Sequence, residues 1–145
     1  MTQYNLAQTT KISFVLGIYP GYGHENTIWD DANKEWVTRT EEEIYSSIFW
    51  YIVDHEKEYG KVNFVVKPAR CFYSVDHGCP RAGEVVYEFS SIYNPAYGDD
   101  PEEWFARVML YAKKLSTYFK QKTCTVTIEG YENKPVQICY LKNDI

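Results

Sequence analysis

Two capped amphipathic helices with an alternating strand between them constrain this chain more than any other feature. Asp100 stands where an N-cap belongs, Pro101 follows at the first helical position, and Glu103 completes a capping box. Trp104, Val108, Tyr111, Leu115 and Tyr118 then recur at helical spacing, which predicts a continuous core stripe over about four turns. Upstream, Thr40 and Glu43 form a second capping box, and Glu41 to Glu43 put negative charge at the positive end of the helix dipole. Ile44, Ile48, Ile52, His55 and Tyr59 follow on one face, and Gly60 is the expected stop. His55 on that face reads as a packed or rim histidine.

Between the helices, Gly83 to Ile92 alternates cleanly. Val85, Tyr87, Phe89 and Ser91 fall on one side, and Glu84, Val86, Glu88, Ser90 and Ile92 on the other. Lys11 to Tyr19 reads as a first strand closed by Pro20-Gly21, and Val62 to Val66 as a second, with Arg70 to Val75 continuing the sheet after Pro68. Cys124 to Ile128 and Val136 to Leu141 supply two more strands around an Asn133-Lys134-Pro135 turn, the last at a sheet edge. Gly21 to Val37 is left as a long loop, either functional or holding a small element.

The order β, α, β, β, α, β, β predicts an α+β fold. Two helices on one face of a mostly antiparallel sheet bury both stripes, giving a ferredoxin-like β-α-β-β-α-β unit plus an extra C-terminal strand. Asp76 to Arg81 is too short for a parallel crossover, which disfavours a doubly wound sheet. At 145 residues the expectation is a single domain spanning 1–145, and 17% aromatic content excludes a disordered tail.

Charge narrows the partners. Twenty acids against 15 Lys and Arg leave −5, so no whole-molecule attraction to long nucleic acid or to a membrane is expected. No stretch approaches the roughly 20 apolar residues of a spanning helix, and Ile12 to Ile18 looks like a strand and not a signal peptide, so a cytoplasmic location is expected. Cys71, His77 and Cys79 lack a fourth ligand and match no zinc-site spacing; neither metal nor cofactor is expected.

Within the second helix the charge is segregated: four acids from Asp99 to Glu103, then Arg107, Lys113, Lys114, Lys120 and Lys122 with no acid among them. The macrodipole alone favours that order. The same residues also permit a basic cluster, since Arg107 and Lys114 lie two turns apart on one line and Arg70 and Arg81 border the middle hairpin. With aromatic neighbours such as Phe72, such a cluster would hold a small anionic ligand. Catalysis finds less support: no nucleophile motif accompanies His24, His55 or His77, and Glu84 and Glu88 lie about 13 Å apart on one strand face, too far to act as a pair. Gly17-x-x-x-Gly21-x-Gly23 follows a strand but matches no phosphate-binding fingerprint.

Cys79-Pro80, Gly83-Glu84 opening a strand, Asn94-Pro95, Glu103-Trp104 on a helix and Gln121 before a strand together resemble small phage proteins that sequester the cyclic ADP-ribose signal of Thoeris immunity, over residues 79–128. That resemblance implies a homo-oligomer with composite pockets that bind a cyclic nucleotide-like signal without turnover. It places Asn94 and Arg107 at the ligand, with Phe72 and Arg81 beside them. The resulting expectation is a non-catalytic protein that captures a nucleotide-like anion through Arg70, Phe72, Arg81, Asn94, Arg107 and Lys114. A protein inhibitor using the aromatic loop 19–37 (Tyr19, Tyr22, Trp29, Trp36), and a ferredoxin-like enzyme, are the rival readings.

Overall fold

A computed structural model describes residues 8–18 and 27–144 of the chain. Strand β1 (Lys11–Gly17) is followed by a hairpin of β2 (Thr27–Asp30) and β3 (Glu35–Thr38), then helix α1 (Glu41–Tyr59), β4 (Val65–Cys71), β5 (Glu84–Ile92), helix α2 (Pro101–Tyr118), β6 (Thr123–Glu129) and β7 (Val136–Lys142). The main sheet runs β4-β5-β1-β6-β7 with every neighbouring pair antiparallel, and β2-β3 stands as a separate two-stranded sheet. This is the expected α+β architecture: β4-β5-β1-β6 is the ferredoxin-like sheet, and β7 extends it at the edge.

Both helices start at the expected N-caps, with the full capping box formed at α1 and the Asp100 cap bond at α2. Thr40 accepts from the Glu43 amide while the Glu43 side chain returns to the Thr40 amide, and Asp100 accepts from the Glu103 amide at 2.9 Å. Gly60 closes α1. The stripes pack into one core with the inner face of the sheet: Ile12, Phe14 and Leu16 from β1, Val85, Tyr87 and Phe89 from β5, Cys124, Val126 and Ile128 from β6, under Ile44, Ile48, Trp104, Val108, Tyr111 and Leu115. Phe14 stacks on Phe89 with 4.9 Å between ring centroids and meets the edge of Phe64.

Two details differ from the sequence reading. Val62 to Val66 and Arg70 to Val75 are not two segments but one strand, Val65–Cys71, running through Pro68. Proline is tolerated because β4 is an edge strand, where an absent N–H leaves no ladder bond unmade. The long loop contains the β2-β3 hairpin, in which Trp29 pairs with Trp36 in register. Asp30 fixes its turn by accepting from the Ala32 and Asn33 amides. Tyr19, Tyr22 and His24 lie outside the described residues.

Tyrosine burial couples this fold to alkaline pH. Burial first, then the neighbouring Glu41 carboxylate and Tyr45, push the Tyr87 hydroxyl up to about 12; burial also raises Tyr51, Tyr111 and Tyr118. Between pH 10 and 12 the folded chain therefore holds more protons than the unfolded one, and stability falls as pH rises. Melting temperatures should be flat from pH 7 to 9 and drop progressively above pH 10. An unchanged melting temperature at pH 11 would contradict this burial.

Candidate functional site

The sheet has one face covered by helices and one left open. On the open face, β1 contributes Ser13 and Val15, β5 contributes Glu84 and Glu88, and β6 contributes Thr123, Thr125 and Thr127. A hollow of about 430 Å³ lies there, floored by β1 and walled by Glu88 and these threonines. Hydroxyls and a carboxylate line a shallow trough over a β-branched floor.

Beyond the hollow, at the end where β1 finishes and β5 begins, polar groups converge on a glycine. A Cβ placed on Gly17 would lie 3.0 Å from Glu84 Oε1 and 3.1 Å from Gln121 Oε1. A side chain at this position would crowd both polar ends, which glycine leaves close to the strand. Gln121 is held firmly for that role. Its amide donates to the Ser116 carbonyl at 2.8 Å, its carbonyl accepts from Asn143, and its side-chain Nε2 donates to the Phe119 carbonyl at 3.1 Å, which leaves Oε1 turned toward Gly17. Glu84 is positioned from the other side. Gly83 before it takes φ +80, and the Phe72 ring lies over Gly83 so closely that a Cβ would meet it at 2.9 Å. Cys71 pairs with Glu84 across the ladder, and two residues on, Tyr73 is half-buried, its amide donating to Cys79 Sγ at 3.4 Å.

The six expected ligand residues do not form one cluster. Arg70, Phe72 and Arg81 belong to the Glu84 end of the sheet; Arg70 lines a second cavity of about 290 Å³ with Glu41, Pro68 and Tyr87, on the helix-covered face. Asn94 and Arg107 lie at the opposite end, near Ile92, about 26 Å away by the rise of β5. There Asn94 caps a short turn by accepting from the Ala96 amide, and Arg107 pairs with Asp99 at 3.2 Å. Lys114 sits over the Tyr59 ring, 5.7 Å from its centroid. Arg70 and Arg81 therefore do not face the Arg107–Lys114 line: α2 runs along the inner face while those arginines stand at the far end of the β4-β5 hairpin. Among the described residues no three His, Cys, Asp or Glu side chains gather closely enough to hold a metal ion, Cys71, His77 and Cys79 included. None of the described helices is long and apolar enough to cross a membrane.

Gly17, Glu84 and Gln121 were each visible in the sequence for another reason, as a glycine pattern, as one of two distant carboxylates and as part of a motif. No spacing rule joins them, because the sheet order brings β1, β5 and the end of α2 together.

Two solved structures share this fold. A phage SAM lyase in complex with S-methyl-5′-thioadenosine aligns with a TM-score of 0.53 at 16% identity over 99% of this chain and 96% of its own. A phage SAM lyase in the apo state aligns at 0.55 and 16% identity over 100% of this chain and 98% of its own. No curated protein sequence matches. The family model that matches is that of SAM lyase. It corrects two expectations. The likeness to phage proteins holds, but to lyases and not to sequesterers of cyclic ADP-ribose, and a non-catalytic protein gives way to a family of enzymes. With that match running from residue 7 to residue 135, through the sheet and both helices, the chain belongs to the SAM lyase family.

Proposed function

We propose that this chain cleaves S-adenosylmethionine to S-methyl-5′-thioadenosine, and that the reaction takes place on the open face of the sheet at Glu84. The observation that carries the assignment is the convergence of the Glu84 carboxylate and the Gln121 amide oxygen over Gly17. The substrate is a sulfonium cation with an ammonium group, so acceptors and carboxylates, not a basic cluster, are what it needs. Glu84 binds the ammonium group, Gln121 Oε1 shares it, and Glu88 with the threonine hydroxyls offers acceptors to the ribose along the hollow.

The bond that breaks joins sulfur to the γ-carbon of the amino-acid moiety. Sulfur keeps the electron pair and leaves as a neutral thioether. A lyase takes up no water, so the four-carbon fragment must satisfy its own γ-carbon. Its α-carboxylate can close on that carbon to give a five-membered lactone. The alternative, loss of an unactivated β-proton to give an alkene, requires a strong base. Ring closure requires only that the chain be held folded, a task for positioning groups such as Glu84 and Gln121. Opposite charges also merge in that transition state, so exclusion of water favours it.

Incubation with S-adenosylmethionine should release S-methyl-5′-thioadenosine, and proton NMR of the second product should show lactone and no vinyl signals. S-adenosylmethionine recovered unchanged from the protein would sink the enzyme reading and restore simple capture. A vinyl product would overturn the lactone route alone.

The open face carries Val15, Val136, Ile138 and Tyr140, each about half or more exposed. A second copy of the chain laid over it would cover these side chains and close the hollow to water, in line with the expected homo-oligomer. Ile138→Asp should then convert the assembly to monomer in light scattering and lower cleavage in parallel. A monomeric parent protein of full activity would remove this part of the proposal.

A further inference from the structure

A third cavity, of about 360 Å³, opens at the other end of the sheet, between the C-terminus of α1, the end of β5 and the start of α2. Its apolar wall is Trp104, Ile92 and Val62, and its polar lining is Lys61, Glu56, Asp99, Asn63 and Asn94, with Tyr97 beside them. The surrounding backbone is well tied. Tyr93 donates its hydroxyl to the Asp99 carbonyl at 2.6 Å, Tyr111 donates to the Gly60 carbonyl at 2.8 Å, and Asp99 is neutralised by Arg107.

Lys61 and Glu56 are different. They line the same cavity with opposite charges, yet among the described residues neither forms an ion pair, with each other or elsewhere. Two unlike charges facing one cavity of mixed polarity without closing on each other leave a gap for a ligand that carries both signs. Asn94 adds a directional donor, because its Oδ1 is already taken by the Ala96 amide and its NH₂ group is what remains to offer.

We propose that this cavity binds a free α-amino acid with an apolar side chain. The ligand carboxylate meets Lys61 and Asn94, the ligand ammonium meets Glu56, and the side chain lies against Trp104, Ile92 and Val62. The site is distinct from Glu84, about 26 Å along β5, and it does not depend on what the Glu84 end catalyses.

Calorimetric titration of the full chain with L-leucine and L-methionine tests it. Saturable one-to-one binding is expected, with at least tenfold weaker binding of N-acetyl-L-leucine and of L-leucinamide, each lacking one charge. Lys61→Met and Glu56→Gln should each weaken L-leucine binding about tenfold while leaving S-adenosylmethionine cleavage unchanged, and Glu84→Gln should bind L-leucine normally. No saturable binding at millimolar amino acid, equal binding of the N-acetyl derivative, or binding lost in Glu84→Gln but kept in Lys61→Met would each overturn the proposal.

Discussion

Glu84→Gln should lower kcat/KM for S-adenosylmethionine cleavage by roughly a hundred- to a thousandfold, with an unchanged melting temperature. The substitution keeps the shape of the side chain and removes its charge. Glu84 is half-buried at the first position of β5, outside the helix-packed core, so an isosteric exchange there opens no cavity. On the proposed mechanism it loses the anchor for the substrate ammonium, together with the folded geometry that ammonium fixes. Release of S-methyl-5′-thioadenosine, followed by chromatography, gives the rate. Activity within about threefold of the parent protein would remove Glu84 from the reaction and move the site toward the Arg70 cavity. Gly17→Val offers an independent check, because a branched side chain there displaces the ends of Glu84 and Gln121 without changing either residue.

Much of the fold was legible because local signals agree with tertiary packing. Both capping boxes, both apolar stripes and the alternation of β5 point the same way, and the residues they nominate are the core. Val86 shows the limit of that logic. Alternation puts it opposite Gly17 on the open face, yet it is only 6% exposed. Pro68 shows another limit. Proline read as a break because an edge position is a property of the sheet order, which no local window contains.

The site was harder to read for an electrostatic reason. Arginines and lysines on α2 stood out as a run, and a run of like charge suggests a ligand of the opposite sign. In the structure Arg107 is bound to Asp99 and Lys114 rests on Tyr59, so both charges are engaged within the chain. The carboxylates that suit a sulfonium were set aside because Glu84 and Glu88 are too far apart to share a proton. Binding a cation along a trough makes no such demand on their separation. The spacing argument excluded one mechanism and said nothing of another.

Gly60→Ala should destabilise the chain by about 3 kcal/mol, a large share of the roughly 5–15 kcal/mol that holds a domain of this size together. Gly60 adopts φ 95 and ψ 174, a backbone region essentially reserved for glycine, where a side chain costs on the order of 1–3 kcal/mol. Space is short as well: a Cβ would lie 2.4 Å from Arg107 Cδ. Relief requires the Arg107 chain to move, and Arg107 is held at its far end by Asp99. The two costs separate experimentally. In an Arg107→Ala background the steric part disappears, and Gly60→Ala should then cost only about 1–2 kcal/mol by urea unfolding, a coupling of about 1 kcal/mol or more between two positions that are far apart in sequence. Equal costs in both backgrounds would mean that backbone strain alone fixes Gly60. The coupling bears on the proposed amino-acid site, because the Gly60 carbonyl that accepts from Tyr111 and the Arg107 chain packed against Gly60 together fix the backbone from which Lys61 projects to the cavity rim.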